Sequence, residues 1–355
     1  MNEVRAILDD TLSRLFGEMV THVLIQRAEE GEWPGKLWDA VEESGLTRAH
    51  VPESFGGAGG GWGEAFLILT ASGRHAVPLP LAETILGAWL LARSGLEPPD
   101  GPLTILPDLL SAEQLSGDRL ACRAGRVPWG AVARHAVFMV EGAEGARVGL
   151  VETKTARIIR GESVAREPRD DLVFENAPVL NVAPSPLPAG SIRMYGAMIR
   201  SAQMAGALGY LLTQSVKYAG ERVQFGRPIR KFQMIQDQLA RLAGHAAASQ
   251  VAAEAAFCAA DRAMDQGSRE GSADPGFEIA VAKVRAGEAA AVAPGIAHQV
   301  HGALGFTYEH TLHFATRRLW SWRWEYGTEN EWAALIGRKS FEAGPDGLWP
   351  LVTSR

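Results

Sequence analysis

The sequence predicts a mostly helical α+β fold on three observations: apolar residues at helical spacing through the opening part, a central block of short β-rich segments, and long alanine-rich helical patterns afterwards. With 355 residues, 46% of them hydrophobic, the chain is long enough for two or three structural units with sizeable cores.

In the opening part, Leu8, Leu12, Leu15, Phe16 and Met19 recur at helical spacing between Val4 and Leu46, and a second helical pattern follows the Trp33-Pro34 break. The stretch Val51-Pro52-Glu53-Ser54-Phe55-Gly56-Gly57-Ala58-Gly59-Gly60-Gly61 interrupts it. Its glycines invite a phosphate loop, but no GKS or GKT follows, no register satisfies GxGxxG, and helices flank it on both sides. A turn between helices is therefore expected, with helical character resuming from Glu64 to Gly73 and from Leu81 to Gly95.

Between Ile105 and Ala183 the pattern changes. The pieces His135 to Val140, Arg147 to Val151, Ala156 to Ile159 and Asp171 to Phe174 read as strands of a small β domain. Proline density then marks Pro184 to Gly190 as a linker. From Ile192 to Arg338 the chain is helical again, with the run Ala246 to Ala260 and the pattern Phe277 to Val292 offering small residues for close helix packing. The expected division is 1–104 helical, 105–185 β, and 186–355 helical bundle.

Composition narrows the function. The 35 basic and 41 acidic residues give a net charge of -6 with no long block of one sign, which argues against nucleic acid and membrane surfaces as partners. Cys122 and Cys258 stand far apart, so neither a disulfide framework nor a CxxC zinc site is expected, and a reducing cytoplasm fits. Glu3, Asp9 and Asp10 are unlike a signal peptide, and no stretch approaches the ~18 apolar residues of a membrane span. His298, His301, His310 and His313 raise a metal site, but no carboxylate-rich ligand set accompanies them, so polar packing roles are expected and no metal. Trp320, Trp322, Trp324 and Trp332 are read as packing residues at a helix end or subunit contact.

Two motifs carry chemistry. Arg222-Val223-Gln224-Phe225-Gly226-Arg227-Pro228-Ile229, continuing through Phe232, Gln233, Gln236 and Leu239, resembles the RxxFGxPIxxFQxxQxxLA segment of the acyl-CoA dehydrogenase family. Gln299-Val300-His301-Gly302-Ala303-Leu304-Gly305-Phe306, followed by Glu309, Arg317, Gly327 and Thr328, resembles that family's QxxGGxGF and YEGT stretches, with Ala303 in place of the second glycine. Val51 to Gly59 and Pro78 to Thr84 also resemble the family's N-terminal domain, so the likeness spans nearly the whole chain.

The resemblance implies an N-terminal helical domain, a small middle β domain and a C-terminal four-helix bundle. It implies FAD as cofactor, with Arg222 on the pyrophosphate, Gln224, Phe225 and Gln233 at the cofactor site, and Gln299 and Gly302 where a neighbouring subunit closes over the dinucleotide. Thr328 falls on a further cofactor contact. The implied reaction is α,β-desaturation of an acyl-CoA, with an electron-transferring flavoprotein as acceptor. The chain departs from the family at the base: the YEGT glutamate coincides with Tyr326, a phenol of pKa near ~10, and the alternative base position with Ile199. Glu325, one residue earlier, is the candidate base within this chain. The middle domain lacks the family's flavin-ring loop and strand, and Arg126-Val127-Pro128-Trp129-Gly130 stands roughly where that strand belongs. The leading expectation is thus a short subunit of a heteromeric, steroid-degradation-type acyl-CoA dehydrogenase, a tetramer sharing its flavin site with a homologous chain. A homo-oligomer using Glu325 and a flavin-free scaffold are the alternatives.

Overall fold

Three helices, where the pattern suggests two, make up the opening stretch: α1 (Glu3–Met19), α2 (His22–Glu29) and α3 (Gly35–Glu43). The additional break falls at Val20-Thr21, where the Thr21 hydroxyl accepts a hydrogen bond from Leu24 N–H at 3.2 Å and caps α2. The computed structural model describes residues 3–266 and 274–353. The chain divides into two units, one comprising residues 1–72 and 77–199, the other residues 73–76 and 200–355.

In the first unit the glycine run is a turn. The N–H groups of Ala58, Gly59 and Gly60 donate to the carbonyls of Arg48, Val51 and Ala49, and a Cβ at Gly57 would overlap the Val51 carbonyl. After it come α4 (Trp62–Arg74) and α5 (Leu81–Arg93), whose residues Leu81 to Ala92 are all buried. Trp62, Trp89 and Tyr195 pack ring to ring, with Trp62 stacked on Tyr195 at 5.5 Å, and the His50 ring lies 4.7 Å from Trp62. Among the described residues neither His50 ring nitrogen has a hydrogen-bond partner, and burial pushes its pKa down to about 3.

The β part contains β1 (Leu103–Ile105), β2 (Leu110–Ser111), β3 (Leu115–Ser116), β4 (Arg119–Pro128), β5 (His135–Gly142), β6 (Gly145–Glu152), β7 (Arg157–Ile159) and β8 (Arg169–Pro184). The sheet order is β1-β5-β6-β8-β4-β3, with β2 on β5 and β7 on β8. β1 and β2 run parallel to β5, and the remaining pairs are antiparallel. The four expected strand pieces lie in β5 to β8. β4 is additional: its alternation of exposed and buried residues is carried partly by Ala121, Cys122 and Ala124, which are weak strand signals. β8 also runs through Pro184, so the linker begins one residue later than the proline density suggests. Leu120, Phe138, Leu172 and Phe174 form the centre of this core. Gly149 faces Phe138 across the β5–β6 pair, and a Cβ there would overlap the ring.

α6 (Ser191–Glu221) crosses the division between the units at Ile199/Arg200. The second unit continues with the short pair β9 (Val223–Gln224) and β10 (Arg227–Pro228), then α7 (Gln233–Gln266), α8 (Gly276–His301), α9 (Leu312–Trp322) and α10 (Glu329–Thr353). Residues 267–273, inside the stretch read as helical, lie outside the described residues. Ala286, Ala289, Ala290, Ala293 and Ala297 of α8 pack with Leu208, Leu211 and Leu242, the close approach that small side chains permit. α10 extends past the expected end at Arg338 and is interrupted at Gly344, where φ is 69°. No helix among the described residues is long and apolar enough to cross a membrane.

Two outcomes follow. His50 is neutral in the fold, whereas in the unfolded chain it takes a proton below its ordinary value, so its contribution to stability is complete above pH ~6.5 and is lost as pH falls toward ~3. Thermal unfolding of His50→Leu should therefore decline less steeply between those pH values, by up to ~1.4 kcal/mol per pH unit. Gly149→Ala should destabilise by ~1–3 kcal/mol through overpacking against Phe138, measured by urea unfolding.

Candidate functional site

The first motif folds as a tight hairpin between α6 and α7. Arg222 N–H donates to the Tyr218 carbonyl and Ile229 N–H donates to the Arg222 carbonyl, both at 2.8 Å, so Arg222 closes the loop with its backbone. Gln224 pairs with Arg227, and Phe225 and Gly226 between them both take left-handed φ values, 51° and 77°. This is the conformation a two-residue hairpin turn demands, and it is strained for phenylalanine. The Phe225 side chain is 93% exposed, its ring edge-on to Phe232 at 6.1 Å, while the Arg227 guanidinium lies 4.4 Å over Phe232. Arg222, Gln224 and Gln233 are exposed, and Arg222 makes no ion pair among the described residues. Pro228 ends β10 and precedes a short 3-10 turn, Ile229–Lys231, that leads into α7; pairing with Val223 holds it in the hairpin.

The second motif lies at the C-terminal end of α8. Gln299 and Gly302 are exposed, and Gly302, at φ 60° with open space around it, ends the helix by donating its N–H to the His298 carbonyl. His301 stacks on Tyr218 at 4.6 Å, which brings this end of α8 beside the hairpin end of α6. The histidines are packing groups here: His298 stacks on Phe306 at 4.5 Å, and the His301 and His310 rings meet edge-on at 4.8 Å. His301 Nδ1 lies 2.7 Å from the Ala297 carbonyl, which assigns the proton to Nδ1, and burial lowers the pKa of His298, His301 and His310. Among the described residues no group of three or more His, Cys, Asp or Glu side chains is placed to hold a metal ion.

Glu325, Tyr326 and Thr328 occupy a different place, the turn from α9 into α10. Tyr326 and Gly327 adopt φ 55° and 98°, and Trp332 Nε1 donates to the Tyr326 carbonyl at 3.0 Å. Glu325 Oε2 accepts from Arg200 Nε at 2.7 Å, with the side chains 11% and 2% exposed, and Arg200 also donates to Gln203 Oε1. Lys283 Nζ donates to the carbonyls of Arg323 at 2.7 Å and Trp322 at 3.3 Å, and burial draws its pKa down to about 7 against the opposing pull of Glu325 and Glu329. Arg323 pairs with Glu329, which holds the Glu329 carboxyl below its ordinary value. Thr328 caps α10: its N–H and hydroxyl both donate to Glu331 Oε2, at 2.7 and 3.0 Å. Arg200 and Lys283 escaped the motif reading. A lone charge on an otherwise apolar helix face, Arg200 after Met198-Ile199 and Lys283 among alanines, was the available signal.

The predicted residues thus form two groups. Arg222, Gln224, Phe225 and Gln233 share one end of the second unit with Gln299 and Gly302, whereas Glu325 and Thr328 stand with Lys283 and Arg200. Lys283 and His301 are eighteen residues apart on α8, as are Arg200 and Tyr218 on α6, a rise of about 27 Å along each helix. In the first unit, Arg126 and Trp129 bracket the end of β4 with left-handed φ values of 54° and 56°, and the Pro128 carbonyl accepts the Thr104 hydroxyl. With no N–H on Pro128 and its carbonyl engaged, this strand end offers little to a flavin ring. An exposed arginine without an ion pair beside open glycine backbone suits a pyrophosphate.

Two family models match the chain, "Acyl-CoA dehydrogenase, N-terminal domain" over residues 2–98 and "Acyl-CoA dehydrogenase, C-terminal domain" over residues 194–341, together more than half of it. The chain is 27% identical over 334 residues to the acyl-CoA dehydrogenase IpdE2 of Mycobacterium tuberculosis, covering 89% of this chain and 91% of that protein. It is 26% identical to the glutaryl-CoA dehydrogenase of Desulfococcus multivorans, covering 76% and 79%. Its fold matches the ChsE4-ChsE5 complex from Mycobacterium tuberculosis with a TM-score of 0.84 at 21% identity, covering 96% of this chain and 98% of that one. Read with the two motifs and the helix–sheet–bundle order, these matches lead to one assignment: the chain belongs to the acyl-CoA dehydrogenase family.

Proposed function

We propose that this chain works in the FAD-dependent α,β-desaturation of an acyl-CoA thioester, as a subunit that shares its flavin site with a homologous partner chain. The observation that carries the reading is the separation of the candidate contacts. Arg222 and Gln299 share one end of the bundle while Glu325 and Thr328 lie at the other, and Pro128 ends β4 roughly where the family's ring-holding strand would run. A chain so arranged is suited to give one half of its contacts to a cofactor held mainly by a neighbour.

In this reading Arg222 grips the pyrophosphate, Gln224, Phe225 and Gln233 line the adjoining surface, and Gln299 and Gly302 close over the dinucleotide through side-chain and backbone contacts. Thr328 offers its hydroxyl at the second group. When bound, FAD accepts the hydride leaving the substrate β-carbon, and an electron-transferring flavoprotein takes the electrons onward. Structural neighbours include the "Tcur3481-Tcur3483 steroid ACAD" and the ChsE4-ChsE5 complex, which supports a bulky, steroid-derived acyl group and assembly with a second chain; we take that assembly to be a cytoplasmic heterotetramer. We assign residues 1–104, 105–185 and 186–355 to the family's three successive domains.

Two measurements check this. Purified alone, the chain should be nearly colourless, and co-expressed with its homologous partner it should yield a mixed tetramer with flavin absorbance; a homotetramer with full flavin and robust dehydrogenation would sink the proposal. In the mixed complex, Arg222→Met should weaken FAD binding about 10- to 100-fold, the loss expected for one charge-assisted phosphate contact, measured by fluorescence titration.

A further inference from the structure

We infer that His301 and His310 are positioning residues, a clasp closed only while both rings are neutral, which holds the end of α8 against α6 and the start of α9. The inference rests on the reading above, in which Gln299 and Gly302 close over the dinucleotide, and adds what keeps that contact in place.

The clasp joins α6, α8 and the start of α9. His301 is the last residue of α8 and is 2% exposed; its ring stacks on Tyr218 of α6 at 4.6 Å and meets His310 edge-on at 4.8 Å. The Tyr218 carbonyl in turn accepts the Arg222 N–H, so the ring stack links the hairpin to the Gln299–Gly302 segment. His310 stands just before α9, and its Nδ1 accepts the Leu312 N–H at 3.1 Å. The first N–H groups of a helix lack partners within it, and here an imidazole lone pair supplies one.

The hydrogen-bond partners assign the proton on each ring. His301 Nδ1 donates to the Ala297 carbonyl at 2.7 Å, which leaves Nε2 as a lone pair with no hydrogen-bond partner among the described residues. His310 Nδ1 is an acceptor, so its proton sits on Nε2. A second proton is opposed on both. On His301 it would create a buried donor with nothing to receive it. On His310 it would set one N–H against another, that of Leu312, at the positive end of the α9 dipole. Two imidazolium rings 4.8 Å apart would also repel each other.

The surrounding charges do not reverse this. α6 brings Tyr210, Lys217, Tyr218 and Glu221, α7 brings Asp237, Arg241 and His245, and α8 brings His298, while Glu309, His313 and Arg317 follow on the connecting segment and α9. Glu221, Asp237 and Glu309 are exposed, and none of them draws either ring up. Burial lowers both rings, with His301 and His298 lowering His310 further, and only the Ala297 carbonyl pulls His301 the other way. With folded-state values below the ordinary one, the clasp is fully closed above pH ~6.5 and is lost as pH falls.

The test removes the titration and keeps the contacts. Asparagine caps a helix as a neutral acceptor and phenylalanine retains the stack on Tyr218, so His301→Phe/His310→Asn should stay closed at any pH. In the mixed complex, fluorescence titration should show FAD affinity falling about tenfold or more from pH ~7 to pH ~5 in the wild type, and by less than about threefold in the double variant, because protons no longer compete with closure. At pH ~7, His310→Ala should bind FAD more weakly than His310→Asn, which keeps the cap. An acid loss of equal size in wild type and double variant would overturn the inference, as would an asparagine variant no better than the alanine one. Without flavin, NMR of isotope-labelled histidine in the full chain should show both rings titrating below the ordinary value, with His301→Phe raising that of His310. Titration of His310 at the ordinary value, unmoved by His301→Phe, would also overturn it. If the wild-type complex binds no FAD at any pH, the shared-site reading fails, while the NMR titration still decides the clasp.

Discussion

A guanidinium sealed from water persists only against a carboxylate, and the contact between Arg200 and Glu325 meets that condition where four helices of the second unit converge. Around it the other constraints fall into line. Lys283 spends its donors on the end of α9, Arg323 turns to Glu329, and Gly287 must lack a side chain because a Cβ there would come within 2.8 Å of Glu329. Each of these contacts ties the turn to a different helix. The left-handed turn is therefore held by electrostatics distributed over α6, α8 and α10.

The opposite end of the same helices is built on another principle. There the links are aromatic: Tyr218 on His301, His298 on Phe306, Phe225 against Phe232. Burial lowers the pKa of these histidines, so the local potential is set by the exposed Arg222, Arg227, Arg230 and Lys231 of the hairpin segment against Glu221. One bundle thus offers an electropositive surface at one end and an internally neutralised knot at the other.

Much of this architecture was legible in the sequence, and the exceptions have physical causes. The hairpin could be read because its determinants are local: eight consecutive residues carry the turn, the strands and the arginine. The helices followed from periodicity, apart from the break at Thr21, where a capping hydroxyl sits amid apolar neighbours and leaves the pattern unbroken. β4 was missed because Cys122 and Ala124, weak strand signals, fill its central inward positions between Leu120 and Val127. The Arg200–Glu325 contact could not be read at all, since its members lie 125 residues apart and neither belongs to a motif that names the other. Position matching points to Glu325 as a candidate base by its proximity to YEGT, and the fold adds Arg200 as its ion-pair partner.

Phe225 carries a consequence for how such a chain is made in a cell. Its backbone is strained and it is 93% exposed, with the edge-on contact to Phe232 covering little of the ring. A newly synthesised copy displays this aromatic tip until something covers it, and an uncovered apolar tip is what chaperones and proteases recognise. Synthesis in step with the covering surface would then matter as much to the abundance of this protein as the stability of its core.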